Sequence, residues 1–170
     1  MDTTDRAEDA RSEQDERIDG RSSFWNALHE ALRICREANA QQIWIADATF
    51  DEWPLGQRSF VQALSAWVSS RRSFHMLAGD FGPVAPRHPR FVEWRRTWAH
   101  VVSCRQPNPE ERVEVPTLLY APDLLCVRIH GPHLRGKLER GGVELRAADE
   151  MLDAISQRST DAFPSTLLGL

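Results

Sequence analysis

The chain has little lysine, little cysteine and no long apolar run. Of its 21 basic residues only Lys137 is a lysine, so an anion site must be built mainly from arginine side chains. The three cysteines, at positions 35, 104 and 126, form no CxxC spacing, which argues against a disulfide framework and indicates buried thiols in a reducing compartment. No apolar stretch approaches the roughly 20 residues of a membrane span, and the N-terminus lacks the basic start and apolar core of a secretory signal. We therefore predict a cytoplasmic protein that does not enter membranes.

Acidic residues are concentrated at the N-terminus of this 170-residue chain, whose length predicts one hydrophobic core. Residues 1–23 carry eight acids against four arginines and contain no aromatic side chain, so they have too little apolar surface to order the backbone. We predict a disordered acidic tail over 1–23, whose removal leaves the melting temperature nearly unchanged, and a single α/β domain over 24–170. That domain carries 17 acids and 17 bases, which excludes a surface that is basic throughout and leaves local patches.

Apolar residues in the domain recur first at helical and then at strand spacing. Helices are predicted over 24–38, 56–70, from about 90, and over 147–158. Strands are predicted over 43–46, 73–78, 101–104, 117–121, 124–129 and 141–146, with a hairpin turn at Pro122-Asp123. The strand–helix alternation of the first half predicts a three-layer α/β sandwich with a mixed, mainly parallel sheet flanked by helices.

The C-terminus is apolar, with Phe163, Leu167, Leu168 and Leu170 close together. Because an exposed segment of this kind promotes aggregation, we expect it to dock in a groove of its own domain or of a second copy. A homodimer is therefore one expected assembly.

Several tryptophan-containing segments carry a resemblance that covers about residues 40–170. The segments are Trp53-Pro54-Leu55, Arg87-His88-Pro89-Arg90-Phe91, Trp94-Arg95-Arg96-Thr97-Trp98-Ala99-His100, Ala154-Ile155-Ser156-Gln157-Arg158-Ser159, Phe163-Pro164 and Leu168-Gly169-Leu170. Through them the chain resembles an uncharacterised family of small proteobacterial proteins, and its layout resembles half of a phospholipase D-like α/β sandwich. Those enzymes use an HxK(x)4D motif that this chain lacks, since His133 and Lys137 have the wrong spacing. The resemblance implies a scaffold without the catalytic residues.

Acidic side chains follow the first two predicted strands. Asp47 and Asp80 end these strands, and Asp51 and Trp53 lie in the loop after the first. Because open α/β sheets bind ligands at the carboxyl ends of parallel strands, these residues predict a crevice in which the aspartates hold Mg²⁺ or act as acid and base. The alternative is that the aspartates cap the turns that follow them.

Arginine and aromatic residues are interleaved over 87–105. Arg87, His88, Arg90 and Arg95 are the candidate anion-binding residues, since arginine binds phosphate bidentately and a helix that begins near Arg90 directs its amides to the same place. The alternative is that the aromatic residues, at positions 91, 94 and 98, form the core stripe of the helix while the arginines are solvated.

A mirrored pair of His/Cys spacings, His100-x3-Cys104 and Cys126-x3-His130, raises the possibility of zinc. Residues four apart on a strand are separated by roughly 13 Å, which is too far to bind one ion. We therefore predict no metal and no cofactor.

The function that these features favour is non-enzymatic binding of a small anion, a phosphodiester or a protein partner, with nucleic acid as a weaker option. The first alternative is a metal-dependent hydrolase that uses Asp47, Asp51 and Asp80. The second is a purely structural partner protein.

Overall fold

A computed structural model describes residues 16–165. Within these residues, eight strands form one sheet in the order β1-β7-β6-β5-β2-β3-β4-β8. The strands are β1 (Arg17–Asp19), β2 (Gln42–Asp47), β3 (Ser73–Ala78), β4 (Val102–Pro107), β5 (Thr117–Ala121), β6 (Leu125–His130), β7 (Arg135–Glu139) and β8 (Ser159–Asp161). The helices are α1 (Arg21–Glu37), α2 (Arg58–Trp67), α3 (Val84–Arg87), α4 (Pro89–Thr97) and α5 (Val143–Gln157), with a short 3₁₀ helix at Pro109–Glu111.

Most neighbouring strands in the sheet are antiparallel. Only β2 with β3, and β3 with β4, pair in parallel within residues 16–165, whereas the other five pairs run in opposite directions. The prediction of a mainly parallel three-layer sandwich is therefore wrong. The three strands that it omitted, β1, β7 and β8, all pair antiparallel, and they are short and largely charged or polar, so apolar periodicity gives no signal for them.

The predicted tail boundary at residue 23 is also wrong. Strand β1 pairs with β7, and helix α1 begins at Arg21. Ile18 is 4% exposed and belongs to the core, so one apolar side chain and a backbone ladder are enough to order this segment. Residues 1–15, which make up the rest of the predicted tail, lie outside the described part of the chain.

Residues 141–146 begin a helix, although the sequence predicted a strand there. Gly142 precedes α5 with φ of 80°, a left-handed conformation that favours glycine. The Gly141-Gly142 pair is therefore the entry to a helix, and Leu145 packs into the core from the first turn of that helix.

The two faces of the sheet are covered to different extents. On the first face, α1, α2 and α4 pack against alternating strand residues such as Ile43, Ile45, Phe74 and Met76. On the second face, α5 packs over Ala46, Leu77 and Leu118. Helix α5 packs mainly over strands β4, β5, β6 and β8, whereas Arg17 of β1 and Lys137 of β7 are exposed.

Candidate anion-binding face

The predicted anion-binding segment holds a loop of its own chain. The Nε atom of Arg87 lies 3.1 Å from Oδ1 of Asp51, and Arg90 donates from Nη1 to the carbonyl oxygen of Gly56 at 3.0 Å. Between them, His88 donates from Nε2 to the carbonyl oxygen of Phe50 at 2.9 Å. Three of the four predicted anion-binding residues therefore bind loop 50–56.

Burial favours the uncharged form of His88. The side chain is buried, and burial lowers its pKa below the ordinary histidine value. The carbonyl oxygen of Phe50 can only accept, so the proton of the neutral ring is on Nε2, while the buried Nδ1 has no hydrogen-bond partner among residues 16–165. A neutral buried ring supplies no positive charge to a ligand.

Arg95 lies apart from the other three candidates. It is 7% exposed, and its Nη2 reaches the carbonyl oxygen of Phe163 at 3.5 Å. Its Nε and Nη1 are buried without a partner in the described residues, beside the thiol of Cys104. The structure does not bring Arg95 into one site with Arg87 and Arg90.

The aromatic residues of α4 belong to the core, as the alternative interpretation predicts. Phe91 and Trp94 are buried and stack with their ring centroids 5.7 Å apart. Arg96 pairs with Glu93 on the exposed side, at 3.0 Å. The helix is amphipathic, with Arg95 buried on its inner side and Arg90 and Arg96 exposed.

The crevice aspartates cap turns. Asp47 accepts from the amides of Thr49 and Phe50 at 3.1 and 2.7 Å through Oδ2, and from the hydroxyl of Thr117 through Oδ1. Asp80 accepts from the amide of Gly82 at 2.8 Å. Trp53 is buried, with its ring edge to face with those of Phe24 and Phe50. Residues 16–165 contain no group of three His, Cys, Asp or Glu side chains able to hold a metal ion.

The mirrored His/Cys pairs do not meet. Cys104 packs in the core on the first face of the sheet and Cys126 in the core on the second. The sheet therefore separates the two thiols, and burial raises the pKa of each to about 11. Both behave as core thiols.

A row of basic side chains crosses the second face of the sheet. Arg128 of β6 is paired with Lys137 of β7, which in turn is paired with Arg17 of β1. Directly paired antiparallel residues project from the same face, and Cys126, two residues before Arg128, is buried on the second face. The row therefore continues the apolar residues Leu118 and Ala46, which α5 covers.

A second row lies beside the first. His130 is paired with Arg135, and Arg135 with Asp19. The Nε atom of Arg135 lies 3.3 Å from Oδ1 of Asp19, so one acid partly neutralises this row. We refer to Arg17, Arg128, His130, Arg135 and Lys137 together as the basic face.

The basic face is open to solvent. Arg17, His130, Arg135 and Lys137 are exposed, while Arg128 is half-buried next to α5. The Nε atom of Arg128 is buried and has no hydrogen-bond partner within the described chain. Arg128 is therefore the inner end of a cationic row whose outer end is the edge strand β1.

A cleft of about 560 Å³ adjoins the basic face. Segment 128–131, which includes Arg128 and His130, lines part of it. The rest of its wall comes from the ends of β2 and β3, segment 113–117, and Met151 of α5.

The sequence interpretation missed the basic face because its members are far apart in the chain. Arg17 was assigned to a disordered tail, and Lys137 lay in a segment with no predicted element. The available signal was the alternation of polar and apolar residues in Arg135-Gly136-Lys137-Leu138 and in Arg128-Ile129-His130, which is typical of strands with one solvated face.

Comparisons with known proteins support the fold only. No family model matches the sequence, and no curated protein matches it. A solved structure described as "TrmBL2, an archaeal chromatin protein, shows a novel mode of DNA binding" superposes with a TM-score of 0.57 at 11% sequence identity. The match covers 86% of this chain and 54% of that one, so the chain spans about half the length of this structural neighbour. The phospholipase D-like resemblance and the proteobacterial family stay predictions, and no helix within residues 16–165 is long and apolar enough to cross a membrane.

Proposed function

We propose that this chain is a non-enzymatic binding module for a phosphodiester backbone, which it holds on the basic face. The observation that carries the proposal is the cross-strand row of Arg128, Lys137 and Arg17, which lies on a sheet face that α5 leaves open. Residues 16–165 contain as many acids as bases. Because the domain as a whole is neutral, the positive charge of the row is local, and it can direct one anionic ligand to this face.

The spacing of the row suits a polymer. Neighbouring strands lie about 4.8 Å apart, so the three cationic side chains arise from backbone positions within about 10 Å. One strand of a duplex places a phosphate about every 3.4 Å along the axis, so three or four successive phosphates fit along this length.

The openness of the row also favours a polymer over a small anion. Exposed ion pairs each contribute less than about 1 kcal/mol, so a single phosphate on this flat surface is held weakly. A chain of phosphates contacts several cations at once and releases several counterions, which makes the binding appreciable and dependent on salt.

The fold neighbour adds modest support. That neighbour is an archaeal chromatin protein with a novel mode of DNA binding. Because the two chains share a fold at low sequence identity, the neighbour makes nucleic acid a reasonable ligand to test first. Within this chain, the support for the proposal comes from the basic face.

The hydrolase alternative has less support in the geometry. Both carboxylate oxygens of Asp47 accept hydrogen bonds from the loop and from Thr117, and Asp51 faces Arg87. A metal ion would have to compete with these contacts.

Binding of fluorescein-labelled oligonucleotides, measured by anisotropy over a series of salt concentrations, tests the proposal. The variant R17E/K137E is expected to lower the affinity at least tenfold and to reduce the slope of log K against log salt, because two phosphate contacts are lost. The matched control R58E/R71E makes the same change in net charge at exposed positions away from the basic face and should change the affinity less than twofold. Equal losses in the two variants, or no binding by the unsubstituted chain, would overturn the proposal.

A further inference from the structure

The cleft beside the basic face lies where an open sheet offers a ligand site. Ala48 follows β2 and Gly79 follows β3, and both line the cleft. Strand β2 has the parallel neighbour β3 on one side and the antiparallel neighbour β5 on the other. Ligands of α/β sheets bind outside the carboxyl ends of strands, where the direction of the connections changes.

The size of the cleft suits one nucleoside. Its volume of about 560 Å³ falls within the range of roughly 300–1,000 Å³ that is typical of small-molecule pockets. A longer ligand must therefore continue outside it, and Arg128 and His130, which line the cleft, also belong to the basic face.

The chemistry of the wall also suits a base next to a phosphate. Val113 and Met151 are half-buried and present apolar surface, which favours a flat ring. Glu114 is exposed at the same wall, and its carboxylate can accept only from a donor such as the amino group of a base. Arg128, which lines the cleft and also belongs to the basic row, has an unpartnered buried Nε in the described chain.

We propose that the cleft takes one unpaired nucleoside while the basic face holds the adjoining phosphates, so that the ligand is single-stranded nucleic acid. This inference rests on the proposed function. In a duplex the bases are paired and stacked, and none is free to enter the cleft without the cost of extrusion. Sheet faces that bind single strands in other proteins combine the same two elements, a cationic track and a surface for a base.

Three labelled probes test the inference on the full chain. They are a 12-nucleotide single strand, the same sequence as a duplex, and the same single strand with abasic sites in place of its nucleosides. The unsubstituted chain should bind the single strand about tenfold or more tightly than the duplex, and the abasic strand should lose that advantage, because it has no base to stack in the cleft.

Variants assign the preference to the cleft. Met151→Trp and, separately, Val113→Trp fill the cleft and should abolish the preference for the single strand while the binding of the duplex remains. Met151→Leu conserves volume and should leave the preference unchanged. R17E/K137E should lower binding of all three probes by a similar factor. Melting curves show whether each tryptophan variant is folded. If one of them is not, the other one alone is used to test the preference for the single strand.

The outcomes separate the two proposals. Failure of every probe to bind refutes the proposed function itself. Equal binding of the single strand, the duplex and the abasic strand refutes the cleft inference and leaves the phosphodiester proposal standing. Preference for the single strand that survives both folded tryptophan variants also refutes the cleft inference.

Discussion

His88 donates a hydrogen bond from Nε2 to the carbonyl oxygen of Phe50, 2.9 Å away across 38 positions of sequence. Phe50 has φ of 60°, an unfavourable conformation for a residue with a large side chain. Its amide is held from the other side by Asp47, at 2.7 Å. Asp47 and His88, although of types often found in active sites, therefore hold the strained Phe50 in place. They thereby also fix the loop that carries the buried Trp53.

Replacing Asp47 tests this structural role. Asp47→Ala removes three hydrogen bonds to the carboxylate, two of them from backbone amides, and should lower the free energy of unfolding by about 2–3 kcal/mol. Asp80→Ala removes one exposed hydrogen bond and should cost less than about 1 kcal/mol. Urea unfolding of both variants measures the difference, and equal costs would show that Asp47 has no special place in the loop.

The pH dependence of stability should depend partly on His88. Burial, the main cause, lowers the pKa of His88 in the folded state, whereas the unfolded chain has the ordinary value of about 6.5. Between these values the unfolded state binds the proton and the folded state does not, so stability is full above about pH 6.5 and declines as the pH falls toward the folded-state pKa.

His88→Gln should therefore flatten the loss of stability between pH 7.5 and pH 5, although the variant is less stable at neutral pH. Burial lowers the pKa of His75 as well, so His75→Gln should flatten part of the same curve. His133 is exposed in a turn, and His133→Gln serves as the control. An unchanged slope in His88→Gln, read from urea midpoints at each pH, would contradict the assignment.

The N-terminal strand should contribute measurably to stability. Ile18→Ala creates a cavity at a core position that is 4% exposed and should cost about 2–5 kcal/mol. Asp19→Ala, next to it, removes an exposed ion pair with Arg135 and should cost less than about 1 kcal/mol.

Deletion of residues 1–23 should lower the melting temperature strongly, contrary to the expectation from composition. A truncated protein with the original melting temperature would restore the tail interpretation.

Much of the first half of the fold follows from the sequence. The helices around Leu28, Leu64 and Phe91 and the strands around Ile45 and Met76 have strong apolar periodicity, and each lies within its predicted range or within a few residues of it. These elements were predictable because each buries a continuous stripe or a full face. The predicted docking of the C-terminus concerns mainly residues 166–170, which lie outside the described chain.

Strand β7 and the basic face could not be predicted from local sequence, because they depend on strand pairing between segments that are far apart in the chain. Strand β7 contains Arg135, Lys137 and Glu139 and reads as a polar loop, yet its backbone pairs on both edges, with β6 and with β1. The sequence interpretation placed the candidate site at arginines 87–95 because they are close in sequence. The basic face joins Arg17 to Arg128, which only the sheet topology brings together.

The three cysteines should be protected in the native state. Burial raises the pKa of Cys35 to about 12 and that of Cys126 to about 11, and the thiolate is the reactive form. At pH 8 a thiol reagent such as iodoacetamide should label none of the three without denaturant and all three in urea, as mass spectrometry can count. Rapid labelling of the native protein would show that one thiol is exposed.

The most severe single substitution in the sheet should be at Gly136, where β7 passes very close to β6. A Cβ atom added to Gly136 would lie 1.8 Å from the carbonyl oxygen of Arg128, which is backbone and cannot rotate away. Gly136→Ala must push the two strands apart, and we expect a cost of about 3 kcal/mol or more.

The same substitution connects the fold to the proposed ligand. Because Arg128 and Lys137 form one row only while β6 and β7 are paired, Gly136→Ala should also weaken oligonucleotide binding about as much as R17E/K137E does, under conditions in which most of the variant is folded. Gly141→Ala provides the control, since a Cβ there meets nothing within 4 Å, and it should change both stability and affinity little. Calorimetry measures the stability of the two alanine variants, and anisotropy measures their affinity for the oligonucleotide. A stable Gly136→Ala protein with full affinity would show that the cationic row does not depend on this close contact between β6 and β7.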